Sequence, residues 1–125
     1  MKYALLLYAS PDAHRALDPE DPAGHGVFES WVAYTKAMKD AGVLVGAEQL
    51  QVTDTATSVR LRGGERLLTD GPFIETKEHL LGFYLIDVPG LDAALDWAAR
   101  TPLVRFGTVE VRPVKTGMAW QAELE

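Results

Sequence analysis

"LLGFYLIDV", residues 80–88, decides how this chain folds. The run is apolar apart from Gly82 and Asp87, rich in aromatic and branched side chains, and bounded by Pro89-Gly90. It is too short for an independent helix and reads as a strand. Successive strand side chains point to opposite sides. Leu81, Phe83 and Leu85 therefore alternate with Leu80, Tyr84 and Ile86, and both sides of the strand are apolar. Downstream, Asp87-Val88-Pro89-Gly90 ends the strand and opens a helix over Leu91 to Arg100. Its inner stripe is Leu91, Ala94, Leu95 and Ala98, with Pro102 just past its end. "GTVEVRPV", residues 107–114, alternates strictly and makes the last strand.

The upstream half repeats this plan. Tyr3 to Ala9 is a compact apolar run stopped by Ser10-Pro11-Asp12. It imitates a signal peptide, yet it is short and no convincing cleavage site follows, so a first strand explains it better. Residues 10–26 hold three prolines and two glycines and read as a long connection, with one short helical turn capped by Asp18 before Pro19. Phe28, Trp31, Val32, Thr35 and Met38 then recur at helical spacing, and Gly42 supplies the stop. "VLVGAEQL", residues 43–50, is the next strand. "TSVRLR" and "RLLTD" flank Gly63-Gly64-Glu65 as a hairpin.

The order is β-α-β, a hairpin insertion, then a second β-α-β half. This is the α+β class, a ferredoxin-like split βαβ pattern with both helices on one face of an antiparallel-rich sheet. Two helices cover one side only, while the strands at 3–9 and 80–88 are apolar on both. A soluble monomer rarely leaves such a patch in water. A homodimer packed through the sheet face is the expected remedy.

Composition narrows the function classes. Apolar residues make up 47% and charged residues 24% of the 125 positions, an ordinary globular mix for one domain. Twelve basic side chains against eighteen acidic give a net charge of -6 with no basic cluster, so nucleic acid is not an expected partner. No segment has the length of a membrane span. The absence of cysteine excludes disulfides, thiolate metal sites and a cysteine nucleophile, and suits the reducing cytoplasm, which is the expected location. His14, His25 and His79 match no metal-ligand spacing, so no metal or other cofactor is expected.

The stretch before the decisive strand, "TDGPFIETKEH", gathers the polar chemistry. Gly71 precedes a proline and suits the backbone angles left open there, Pro72 fixes its own φ, and Phe73 with Ile74 is expected to pin the corner to the core. Asp70, Glu75, Lys77 and His79 remain unexplained by turn mechanics. His79 is the acid/base candidate because imidazole titrates near neutral pH, with Asp70 to orient it and Glu75 and Lys77 to shape the field. The plainer reading of a lone histidine at a strand entrance is structural. Trp31 and Tyr34 on the first helix, with Tyr84 on the long strand, are candidates to line a pocket between helix and sheet, or are simply core. Glu110 and Arg112 read as cross-strand ion-pair partners, and Arg60, Arg62 and Arg66 as a solvated edge.

"DGPFIETKE", residues 70–78, differs at one position from the "DGPFAETKE" signature of a branch of the YciI-like (YCII-related) proteins. "GFYLIDV", "LDAALDWAARTP", "GTVEVRPV" and "AGVLVGAEQL" resemble later and earlier elements of the same branch. The resemblance runs from Met1 to about Val114, making residues 1–114 the domain and 115–125 a tail. It implies a dimeric α+β barrel and no assigned reaction. Related proteins are thought to place a histidine on or near the first helix as an acid/base partner of an aspartate; the matching position here holds Trp31, with His25 several residues earlier. The branch also resembles domains linked to extracytoplasmic-function sigma factors. Two readings result: a homodimer binding a small organic ligand, with cofactor-free proton transfer if it catalyses, or a non-catalytic regulatory or protein-interaction module.

Overall fold

The computed structural model describes residues 1–15, 25–73 and 76–124, with backbone alone for 25–27. The elements run β1 (Lys2–Ala9), α1 (Pro11–Arg15), α2 (His25–Asp40), β2 (Leu44–Gln49), β3 (Thr57–Arg62), β4 (Glu65–Asp70), β5 (His79–Asp87), α3 (Leu91–Ala99), β6 (Thr108–Pro113) and α4 (Ala119–Leu124). Single 3-10 turns sit at Thr53–Thr55 and Pro102–Arg105. Four strands form one antiparallel sheet in the order β2-β5-β1-β6, the split βαβ arrangement, and β3 and β4 form a separate ribbon. The sheet is open, with β2 and β6 as its edges.

Pairing of β1 with β5 at the centre sets the two faces. Tyr3 lies opposite Ile86 and Leu5 opposite Tyr84. These side chains are buried together with Leu7, with Tyr34 and Met38 of α2, and with Ala94 and Ala98 of α3. Both long helices therefore cover this face. Ala4, Leu6, Tyr8, Phe83 and Leu85 alternate onto the other face and are only half-buried. The ladder skips Leu81 between Leu80 and Gly82, a bulge that turns this side chain into the core rather than beside Phe83 and Leu85.

Three local expectations change. The inner stripe of α3 is Ala94 and Ala98 flanked by Ala93 and Trp97, whereas Leu91 and Leu95 are exposed. Alanines let the helix sit close to the sheet, and Trp97 fills the space at its side. On α2, Phe28 and Val32 are exposed, because the buried stripe passes through Tyr34 and Met38. In the proline-rich connection, a short helix starts at Pro11 with the Ser10 hydroxyl accepting from the Ala13 N–H at 3.2 Å. The helical turn expected at Asp18-Pro19 lies outside the described residues.

The chain leaves α2 through paired bonds from Gly42 N to Lys39 O and from Val43 N to Met38 O, the Schellman pattern. Gly63 and Gly64 both have positive φ and form a two-residue hairpin loop, with Glu65 already in β4 opposite Arg62. Gly82 answers to a different constraint. A Cβ there would lie 2.6 Å from the Glu48 carbonyl oxygen, so only glycine lets β2 pair with β5. Gly82→Ala is expected to lower stability by about 1–3 kcal/mol, read as an earlier urea midpoint with an unchanged slope.

Candidate functional site: an aromatic groove between helix and sheet

Helical spacing brings Trp31, Tyr34 and Thr35 to one side of α2, above Tyr84 of β5. The Trp31 and Tyr84 rings lie nearly parallel, 6.1 Å apart at 7°. Tyr34 stands edge-on to both, at 5.4 Å from Tyr84 and 6.1 Å from Trp31. Edge-to-face arrangements set the positive rim of one ring against the negative face of the next. The Thr35 hydroxyl donates to the Trp31 carbonyl at 2.9 Å, so the 2.6 Å bond between Tyr84 and Thr35 is donated by the phenol. Tyr34 donates to the Trp97 carbonyl at 2.7 Å.

Burial holds both phenols protonated. The Tyr84 pKa is raised by loss of solvent. That of Tyr34 is raised far above the ordinary phenol range, first by burial and next by Tyr84, with Arg100 opposing. Neither phenol is a base near neutral pH. The Trp31 indole N–H is buried and has no hydrogen-bond partner among the described residues, an expensive state for a donor.

Beside this cluster lies a groove of about 710 Å³ between α2 and the β2 edge of the sheet. Its apolar walls include Phe28, Trp31 and Val32 from the helix, Leu81 and Tyr84 from β5, and Leu7 from β1. Lys36, Lys39, Asp40 and Glu48 are exposed and also line it. Tyr34 stands behind the stack and lines the opposite side of α2, toward the turn at 102–105.

The polar corner has a different geometry. His79 opens β5, and its Nε2 donates to the Thr76 carbonyl at 2.7 Å. In the neutral ring Nδ1 then accepts from the Thr53 hydroxyl, also at 2.7 Å. The imidazole ties the Thr53–Thr55 turn to the loop before β5, and both of its nitrogens are engaged away from Asp70. Asp70 ends β4 opposite Thr57 and is exposed, as is Lys77; Glu75 lies outside the described residues. Gly71 donates to the Ala56 carbonyl at 2.7 Å, and its own carbonyl accepts from Ser58 at 2.9 Å. Phe73, expected to anchor the corner, is 68% exposed, because the corner is the root of the β3–β4 ribbon and not a lid on the core. Ile74 lies outside the described residues.

Two further placements depart from simple pattern reading. His14 is 5% exposed and bonds through Nε2 to the Leu50 carbonyl at 2.8 Å, fastening α1 to the end of β2. In the sequence it stood out only as one of three histidines with no metal-ligand spacing. Glu110 and Arg112 pair with each other along one edge of β6. Among the described residues no helix is long and apolar enough to cross a membrane.

The profile of the YCII-related domain matches residues 1–118. The chain belongs to the YCII-related family. It is also similar to an uncharacterized protein of Rhizobium meliloti (strain 1021), 39% identical over 116 residues that span 91% of this chain and 92% of the relative. The family match includes Trp31, Tyr34, Tyr84 and the whole corner.

The buried phenols set a pH limit on stability. A folded-state pKa raised above the unfolded value gives stabilisation that is complete below the unfolded pKa of about 10 and is lost as pH rises toward the folded value. Urea unfolding is expected to show stability falling above about pH 10, with a shallower fall in Tyr34→Phe than in the wild type once its lower starting stability is subtracted.

Proposed function

We propose that this YCII-related chain is a cytoplasmic homodimer that binds a small, largely apolar organic ligand in the groove beside Trp31 and Tyr84, and that it works by binding rather than by proton transfer. The observation that carries this reading is the groove itself. It joins a stacked indole–phenol pair to an aliphatic wall and has ammonium groups from Lys36 and Lys39 among its lining residues. Sites for small ligands typically combine apolar walls with a few polar groups that fix orientation. A phenol or a compact carboxylic acid suits these walls: its ring or chain meets Phe28, Val32 and Leu81, and its polar end meets a lysine.

The corner supports binding over catalysis. A proton shuttle needs a ring nitrogen free to face substrate, and His79 spends both on Thr53 and Thr76. The Tyr84 phenol in the groove wall and the Tyr34 phenol behind it both stay neutral through the physiological range. Pairing of two copies through the sheet is favoured by the stripe of Leu6, Tyr8, Phe83 and Leu85 on the face the helices leave uncovered. A cysteine-free composition fits the cytoplasm.

Tryptophan fluorescence titrated with phenol, 4-hydroxybenzoate and cyclohexanecarboxylate tests the reading. Saturable binding of at least one, with a Kd on the order of 10 µM to 1 mM, is the expected result. Val32→Glu puts a carboxylate on an already exposed wall and should weaken binding about tenfold or more. No saturation with any of the three, or equal affinity in Val32→Glu, would remove the groove as the site.

A further inference from the structure

The β3–β4 ribbon makes its extensive contacts only within itself among the described elements. Eleven of its twelve strand residues are exposed, Ser58 being the exception. Residues directly opposite one another in an antiparallel pair share a face. Val59 faces Leu68 and Leu61 faces Arg66 on one side, while Arg60 faces Leu67 and Arg62 faces Glu65 on the other. One side is thus built around Val59, Leu61 and Leu68, which are 62%, 63% and 60% exposed. The opposite side carries Ser58, Arg60, Arg62, Glu65 and Thr69, with Leu67 its one apolar residue.

A two-stranded ribbon alone in water is marginal at best. This one nevertheless has a full six-pair register and a favoured two-glycine turn. The bonds of Gly71 to Ala56 and of Ser58 to Gly71 carry its ladder one step past the strand ends, and the bond of Thr53 to His79 ties the turn before β3 to β5. Such an arm stands ready to meet a surface that the same chain does not supply.

Charge says what kind of surface. Arg60, Arg62 and Arg66 against Glu65 and Asp70 give residues 57–70 a net +1; removing that from the chain total of -6 leaves -7 on the rest. A mildly basic arm is attracted to the acidic body of another copy. The open sheet face offers the matching apolar stripe, Leu6, Tyr8, Phe83 and Leu85. Glu48 shares that face opposite Phe83 and forms no ion pair among the described residues, in position for an arm arginine.

We propose that the apolar side of the β3–β4 arm docks on the open sheet face of a second copy, each arm reaching across its partner's sheet under two-fold symmetry. The arm thereby does for the outer face of the partner sheet what the helices do for the inner one. This rests on the homodimer through the sheet face put forward above and names the part of the second copy that covers the stripe.

Sedimentation of the full chain from about 1 to 100 µM, with hydrogen exchange of the arm amides across the same range, tests it. The wild type should be dimeric at about 100 µM, with the arm amides protected in the dimer and losing protection wherever dilution separates the copies. Leu61→Glu/Leu68→Glu should weaken self-association about 100-fold, whereas Arg60→Ser/Leu67→Ser on the other side should change it little. A monomeric wild type overturns both the arm contact and the sheet pairing. A dimeric wild type whose double glutamate variant dimerises equally well overturns the arm contact alone. Should that variant fail to fold, exchange in the wild type decides: arm amides that exchange as fast as unprotected backbone while the chain sediments as a dimer overturn the proposal.

Discussion

The pairing of β1 with β5 is the constraint on which everything else in the molecule depends. Both strands are apolar on every residue that matters, and their register sends Tyr3, Leu5, Tyr84 and Ile86 to one side and Ala4, Leu6, Phe83 and Leu85 to the other. A slip of one residue would exchange the two sets. Only the first set has helices to meet. Burying one full-sized apolar side chain contributes about 1.5–3 kcal/mol, so each member of the helix-covered layer matters against a small net stability. The uncovered layer is the cost of making both central strands so apolar, and it is the observation behind the proposed pairing of two copies.

The groove is a consequence of the β2 edge. β2 presents Ala47 opposite Tyr84, where a longer side chain would otherwise meet α2, and a bulge between Leu44 and Gly46 shifts the strand. Gly82 removes a further side chain from the sheet at the same level. Trp31 therefore rests on Tyr84 from the next strand in, and the space in front of the stack stays open. Small residues at a sheet edge and large aromatics on the helix above it produce a cleft with no dedicated loop. Each phenol hydroxyl is committed to a protein acceptor, which fixes Tyr84 in the cleft wall and Tyr34 behind it.

Much of this was legible from residue order. Apolar runs placed the four sheet strands within about a residue, as element existence and type are the strongest signals a single sequence carries. Trp31 and Tyr34 at helical spacing, with Tyr84 on a strand apolar on both sides, pointed to an aromatic cluster. The helix faces were less legible: Leu91 and Leu95 look like core by hydropathy, but close packing on the sheet selects Ala94 and Ala98 instead. The bulge at Leu81 reversed one side chain that strict alternation would have placed outside. His79 was the hardest. Its partner Thr53 is twenty-six residues away in a turn that no local pattern joins to it, so its type suggested chemistry while its contacts describe a tie.

That tie gives the signature stretch a physical purpose. The corner from Thr69 to His79 stands where the arm leaves and the chain re-enters the sheet, and its hydrogen bonds converge on the arm's root. Gly71 closes onto Ala56, Ser58 onto Gly71, and His79 onto Thr53 and Thr76. A ribbon on a loose hinge would lose much of any docking energy to the entropy of ordering it; one held at a fixed angle loses less. Glycine and proline set the turn, and the imidazole and hydroxyls lock it to β5, the strand that also carries Phe83 and Tyr84. The densest polar stretch of the chain is thus coupled through a single strand to the open sheet face on one side and the aromatic groove on the other.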